Sequence, residues 1–197
     1  MKIIEPSVEV MYPSSEKDIV KNIERYGRTA YKSEDKITDT SAEKFVKMII
    51  KNGHGSVLEH GNITVKFICD RGVTHELVRH RLASYTQEST RYCNYQKLGL
   101  VFINPPWGFD ISDLEYLRIT EGQYNRKIAE GQTPQQARAF LPNCLKTEIV
   151  ATMNVREWRH VISLRTKPDC HPQIIQVMRL LLEQLKDKFP TLFGDYE

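Results

Sequence analysis

No stretch of this chain is apolar for the roughly 20 residues that a membrane-spanning helix needs. Its opening residues, Met1-Lys2-Ile3-Ile4-Glu5-Pro6, carry no apolar run of the kind a signal peptide uses. A soluble, cytoplasmic protein with no membrane partner is expected. Cysteine is sparse: Cys69, Cys93, Cys144 and Cys170 stand singly, without the close pairs that structural zinc sites and dithiol redox motifs need. Free thiols in a reducing compartment follow. Excess charge is small as well, and +3 over 197 residues does not signal nucleic acid unless the basic groups cluster in space. Internal repeats and low-complexity tracts are missing. So are the glycine-rich patterns G-x-G-x-x-G after a strand and G-x-x-x-x-G-K-[ST], which excludes the Rossmann and P-loop modes of phosphate binding. Any phosphate must be held by side chains and loop amides.

What is present is an ordinary globular composition, 40% hydrophobic and 27% charged, in a chain long enough for one full core and too short for two ordinary enzyme domains. Apolar periodicity predicts a helix opening near Ser15 and carrying Ile19, Val20, Ile23, Tyr26 and Tyr31, and another from Ser41 to Ile50 that ends at Gly53. Ile63, Val65, Phe67 and Cys69 alternate with Thr64, Lys66, Ile68 and Asp70, the period of a strand. Val73 to Ala83 reads as a helix followed by a loop from Ser84 to Arg91. A short strand, Val101 to Ile103, precedes a long helix over Asp113 to Glu130 and a shorter one over Gln135 to Phe140. Thr147 to Met153 reads as a strand, Arg156 to Leu164 as a helix, and Pro172 opens a final helix through Lys188. The order predicts an α+β fold in a single domain, residues 1–197, with helices packed around a modest, largely antiparallel sheet.

The densest chemistry lies in Arg79-His80-Arg81-Leu82-Ala83-Ser84-Tyr85-Thr86-Gln87-Glu88-Ser89-Thr90-Arg91. Crowded cations repel one another unless an anion sits among them, and planar guanidinium groups match phosphate and carboxylate oxygens in pairs. The segment is therefore an anion site before it is a solvated face. Ser89 has no base among its immediate neighbours, only arginines, so it suits a ligand donor better than a nucleophile.

Three further groups stand out. His54-Gly55-Ser56-Val57-Leu58-Glu59-His60 lacks the H-E-x-x-H helical spacing of a zinc site, and no metal is expected there; its glycines and polar side chains suit a cofactor loop instead. Arg138 lies just before Leu141-Pro142. In Asn154 to Arg165, helical spacing would put Arg156, Arg159 or His160, and Ser163 on one face. A solvated basic face is the usual meaning of such a run, but Asn154 at the end of a β-rich segment favours a site, because binding residues collect where strands end.

Arg79-His80-Arg81-x-x-Ser84-x-x-x-x-Ser89-x-Arg91 resembles, at every specified position, the R-H-R-x-x-S-x-x-x-x-S-x-R signature of the flavin-dependent thymidylate synthases. The His54-Gly55-Ser56-x-x-Glu59-His60 block, Arg138 before Leu141-Pro142, Asn154-x-Arg156 and Arg165 resemble the family's other blocks in the same order. The resemblance implies a homotetramer with active sites between subunits, FAD as cofactor, NADPH and methylenetetrahydrofolate as co-substrates, and dUMP as the nucleotide methylated to dTMP. It assigns FAD contacts to His54, Ser56, Arg79, His80, Arg81, Gln87, Asn154, Arg156 and His160. It assigns nucleotide contacts to Glu76, Arg79, Gln87, Glu88, Ser89, Thr90, Arg91, Arg138 and Arg165. Glu76 and Gln87 stand where some relatives have glutamine and glutamate, which puts individual hydrogen bonds at issue rather than the activity.

The implied chemistry agrees with the residues. Uracil C5 must become electron-rich to accept a one-carbon unit, and an arginine at the uracil edge, Arg165 by the resemblance, would favour the N3-deprotonated ring. No cysteine nucleophile is required. A different class of protein would use the same arginines: a nucleic-acid-binding module in which Arg79, Arg81, Arg91, Arg156 and Arg159 track phosphates while Tyr85, Tyr92 and Tyr95 stack on bases.

Overall fold

A computed structural model describes residues 1–196. In chain order the elements are β1 (Lys2–Ile4), β2 (Ser7–Tyr12), α1 (Lys17–Thr29), α2 (Ser41–Lys51), α3 (Gly55–Leu58), β3 (Asn62–Asp70), α4 (Arg71–Leu77), β4 (Ala83–Gln87), α5 (Tyr95–Leu98), β5 (Val101–Ile103), α6 (Ile111–Ala129), α7 (Pro134–Ala137), β6 (Lys146–Asn154), α8 (Val155–Arg165), α9 (Pro172–Lys188) and α10 (Pro190–Phe193).

The main sheet has the order β2-β3-β6-β4, with every pair antiparallel, and β1 pairs in parallel with β5 in a separate two-stranded ribbon. The two central strands pair along their whole length, from Asn62 opposite Asn154 to Asp70 opposite Lys146. Their alternation explains the layering. Ile63, Val65, Phe67 and Cys69 of β3 and Thr147, Ile149, Ala151 and Met153 of β6 are buried on the face that packs on the helices, while Thr64, Lys66, Val150 and Thr152 are half-buried on the other. On that second face the Thr64 and Thr152 hydroxyls meet at 2.9 Å and Lys66 pairs with Glu148 at 2.6 Å. Trp158 of α8, fully buried, anchors the core side by donating its indole N–H to the Ile63 carbonyl at 2.9 Å. A smaller core around Tyr95, Phe102, Leu117, Tyr124 and Leu145 joins α5, α6, α7 and β5.

Each central strand turns directly into a helix, and a side chain caps each start. The Asp70 carboxylate accepts from the Val73 amide at 2.9 Å and the Asn154 carbonyl oxygen accepts from the Glu157 amide at 2.8 Å. Asp70 and Asn154 lie at opposite ends of the β3–β6 pair, so α4 and α8 start at opposite ends of the sheet.

Three sequence expectations are corrected here. The helix expected over Val73 to Ala83 stops at Leu77, and the first part of the expected loop from Ser84 to Arg91 is strand β4, paired with β6 from Ala83 opposite Met153 to Gln87 opposite Ile149. Tyr85 closes this corner: its hydroxyl lies 2.7 Å from the carbonyl of Leu77, the last helical residue, and 2.8 Å from that of His80 in the turn beyond. The helix expected over Gln135 to Phe140 also divides, into α7 and a 3-10 turn, Arg138–Phe140.

Candidate active site

The site is built around β4. At its first end, Arg165, the last residue of α8, reaches back to the turn after α4. Its Nε–H donates to His80 Nε2 at 3.0 Å, one terminal nitrogen pairs with the Glu76 carboxylate at 2.9 Å, and the other lies 3.4 Å from the Glu76 carbonyl. The His80 ring, 6% exposed, lies edge-on to His160 with 6.0 Å between centroids and turns Nδ1 toward Glu157 Oε1 at 3.6 Å. Burial, with the Arg165 charge and His160 adding to it, pulls the His80 pKa down to about 4 in spite of that carboxylate. His80 is therefore neutral near pH 7. Tyr85 is pushed up to about 12, by burial and then by Glu157, so its hydroxyl keeps the proton that bridges the two carbonyls. Glu76 also lines an open cavity of about 380 Å³ with Asp70, Trp107, Asp113 and His171.

The second end of β4 leads into the segment Glu88 to Arg91. At about 3.3 Å per residue, Ala83 and Gln87 are roughly 13 Å apart. Glu88 is engaged internally: it accepts from the Tyr95 hydroxyl at 2.7 Å and from Lys146 at 2.9 Å, and Lys146 continues to Glu148 at 2.6 Å. Gln87 likewise points inward, its amide N–H donating to Thr74 at 3.0 Å and Thr147 at 3.2 Å. Ser89 Oγ accepts from the Arg91 amide at 3.3 Å, and the buried Thr90 accepts from the exposed Arg138 at 3.3 Å. Arg91 lies over the exposed Tyr92 ring at 5.5 Å.

A third group lies at the start of α8. Arg156 pairs with Glu59 at 2.6 Å and fills the space above Gly55, where a Cβ would come within 3.0 Å of its Nε. His54 and Ser56 are exposed beside it, and the Asn154 side chain is spent on capping α8. The structure divides the face expected for Arg156, Arg159 or His160, and Ser163. His160 turns to His80, whereas Arg159 is bound by Asp195 at 2.7 and 2.5 Å and Ser163 by the Tyr196 hydroxyl at 3.0 Å.

Two residues of consequence escaped the sequence reading. Glu157 is the third helical residue after an Asn cap, a pattern that reads as a capping box; its carboxylate instead faces His80. Lys146 is an unremarkable strand residue by sequence but ties down the Glu88 carboxylate.

Among the described residues, no carboxylate lies within 4.0 Å of the guanidinium groups of Arg79, Arg81, Arg91 or Arg138, and Arg79, Arg81, Arg91 and Arg138 are exposed. No group of three or more His, Cys, Asp or Glu side chains able to hold a metal ion occurs among them, and no helix is long and apolar enough to cross a membrane. Tyr95 is buried and the Tyr85 hydroxyl is engaged, so two of the three aromatics needed for base stacking by a nucleic-acid module face inward. The α+β fold thus combines four exposed guanidinium groups with a half-buried to buried cluster of Arg165, Glu76 and His80, donors of the kind that suit an anionic ligand beside a preformed polar centre.

Comparison with known proteins makes this particular. The family model described as thymidylate synthase complementing protein matches residues 10–191. A flavin-dependent thymidylate synthase from Mycolicibacterium vanbaalenii is 36% identical over 89% of this chain and 78% of its own length. One from Pyrococcus furiosus is 33% identical over 83% and 70%. Among solved structures, a UMP/dUMP methylase from Streptomyces cacaoi, PolB, with 5-Br dUMP bound, superposes with a TM-score of 0.81 at 22% identity over 98% of this chain and 96% of that one. Thymidylate synthase X from Helicobacter pylori with FAD and dUMP gives 0.72 at 18% identity over 96% and 98%. This chain belongs to the flavin-dependent thymidylate synthase family.

Proposed function

We propose that this protein, acting as a single domain in the cytoplasm, carries out the reductive methylation of dUMP to dTMP with bound FAD, methylenetetrahydrofolate as one-carbon donor and NADPH as reductant. The observation that carries the reading is the arrangement of Arg165, held by Glu76 and His80 at the end of the strand whose other end leads to Ser89, Thr90 and Arg91. One end suits a base and the other a phosphate.

The donor set fits a dinucleotide cofactor. The open guanidinium groups of Arg79 and Arg81 match a diphosphate, and His54 and Ser56, exposed beside Arg156, offer further polar contacts. FAD, when bound, supplies the reducing equivalents passed on from NADPH. The protein's own groups do the rest. Arg165 is the catalytic residue: its guanidinium stabilises negative charge on the uracil as N3 loses its proton, which enriches C5. Glu76 holds the terminal nitrogens of Arg165 until the base arrives to take them over, and the neutral His80 keeps the arginine's Nε–H committed throughout. Thr90 presents Arg138 to the nucleotide phosphate, beside Ser89 and Arg91.

A homotetramer whose subunits complete one another's sites is the assembly that goes with this reading. The test is direct. Purified protein should show flavin absorption and release tritium from [5-³H]dUMP when given NADPH and methylenetetrahydrofolate. A colourless preparation that takes up no added FAD would sink the proposal.

A further inference from the structure

Three carboxylates are buried among the described residues: Glu24, Asp70 and Glu157. Burying a carboxylate is costly unless it is paired or hydrogen-bonded. Glu24 meets that condition through Arg28 at 2.7 Å and the Ser41 hydroxyl at 2.8 Å, and Asp70 through the Val73 amide and the Gln173 amide group at 3.0 Å. Glu157 has neither arrangement within the protein, and its carboxylate sits at the edge of solvent, its side chain 10% exposed. The only charged or chargeable nitrogen within 4.0 Å of it among the described residues is His80 Nδ1. Its placement therefore asks for a reason at His80.

We propose that Glu157 is a positioning residue that keeps the His80 proton on Nδ1, so that Nε2 remains an acceptor and holds Arg165 in its aimed position. Arginine Nε always carries hydrogen, so at 3.0 Å His80 Nε2 must accept from it. A neutral imidazole accepting at Nε2 carries its proton on Nδ1, and Glu157 Oε1 lies 3.6 Å from that nitrogen. The contact is a charge–dipole attraction rather than a full hydrogen bond. With the proton on Nε2 instead, two N–H donors would meet at the Arg165 contact, and the Nδ1 lone pair would face a carboxylate oxygen. The two neighbours select the same tautomer from opposite sides of the ring. The other groups around His80 are His160 of α8, Tyr85 of β4 through the His80 carbonyl, and Glu76 of α4 through Arg165. None of them offers Nδ1 an acceptor. His80 is neutral near pH 7 because it is buried, so the tautomer rather than the charge is what Glu157 sets.

This role rests on the reading of Arg165 as the residue at the uracil edge, and its test separates the two. In the FAD-loaded protein at pH 7.5, nitrogen-15 correlation spectra of the His80 ring should show Nδ1 protonated and Nε2 of acceptor type. Glu157→Gln removes the charge but keeps an acceptor oxygen, and should retain most of that signature and lose less turnover than Glu157→Leu. Glu157→Leu keeps the volume without an acceptor; it should mix the tautomers and lower kcat about 10–100-fold, the range seen when a group orienting a functional histidine is lost, with flavin content unchanged. A proton on Nε2 in the unmodified protein overturns the proposal without any variant. A Glu157→Leu protein that keeps the pure Nδ1–H form, or a Glu157→Gln protein as damaged as Glu157→Leu, overturns it equally. The spectra remain readable if the protein releases no tritium from dUMP, and that outcome counts against the Arg165 reading instead.

Discussion

At its Ala83 end β4 meets Arg165, His80, Glu76 and Glu157, all buried or half-buried, with Arg165 bound by His80 and Glu76; at its Gln87 end it leads to Ser89, Arg91 and Arg138, where Arg91 and Arg138 are exposed and have no carboxylate within 4.0 Å among the described residues. The acids are distributed accordingly. Glu76 and Glu157 face the buried cluster, while Glu88, the acid nearest the open cations, is turned away onto Lys146 and Tyr95. An end whose partners are internal is preorganised, and its contribution appears as rate. An end whose charges await a counterion depends on the ligand, and its contribution appears as affinity and salt dependence.

The sharpest way to break that contrast is Arg165→Ala. It removes the one full positive charge of the preorganised end and should cut turnover about 10²–10³-fold, the loss typical of deleting a positioned electrostatic donor. FAD should remain bound, because Arg79, Arg81 and Arg156 are untouched. Tritium release and the visible flavin spectrum of the variant decide it. A loss within tenfold would mean that the buried end is structural.

His80 extends the contrast to acid stability. Its pKa is about 4 in the fold, against the 6.5 of an ordinary histidine. Between these values the unfolded chain binds the proton and the folded chain does not, so stability rises with pH across this window and falls as pH drops from 6.5 toward 4. The contribution lost by pH 4 is about 3 kcal/mol. Urea unfolding at pH 7 and pH 4.5 should show a steeper acid loss for the parent protein than for His80→Gln. Equal losses would show that the ring is protonated without penalty, and hence not held as described.

What the sequence could and could not disclose follows the range of the interactions. Asn62 to Asp70 reads as a strand because its own alternation fixes which side chains are buried. The end of α4 does not, because the hydroxyl that satisfies its last carbonyl, that of Leu77, belongs to Tyr85, beyond the turn. β1 went unread because three residues at the start of the chain become a strand only against Val101–Ile103. Within the site, the motif residues themselves were legible, but their state was not. Arg159 looked as available as Arg156 until Asp195, 36 residues on, closed over it. Glu157 was hidden behind a local capping pattern that a distant histidine overrides.

Arg138→Ala tests the open end. A charge-assisted contact to phosphate contributes about 1.5–3 kcal/mol, so the Kd for dUMP should rise about 10–100-fold while kcat at saturation changes little. Raising salt should weaken dUMP binding to the parent protein more than to the variant, since a screened cation has been removed. If kcat fell as far as in Arg165→Ala with Kd unchanged, the two ends of β4 would be doing the same work and the contrast would fail.

Ser89→Ala is the mildest and the most discriminating change. Ser89 Oγ accepts the Arg91 amide at 3.3 Å, a long contact between neighbours in the chain, and no base stands within hydrogen-bond reach of it among the described residues. A hydroxyl in that position can donate to a phosphate oxygen but has nothing to take its proton. Its removal should cost one neutral hydrogen bond, about 1 kcal/mol, and so weaken dUMP binding about fivefold with kcat retained. Isothermal titration with dUMP alongside saturating tritium-release rates separates the two quantities. Lost turnover with undiminished dUMP affinity would move Ser89 from the ligand-holding end of β4 to the chemistry, and would require a proton acceptor delivered to it by another subunit or by the bound cofactor.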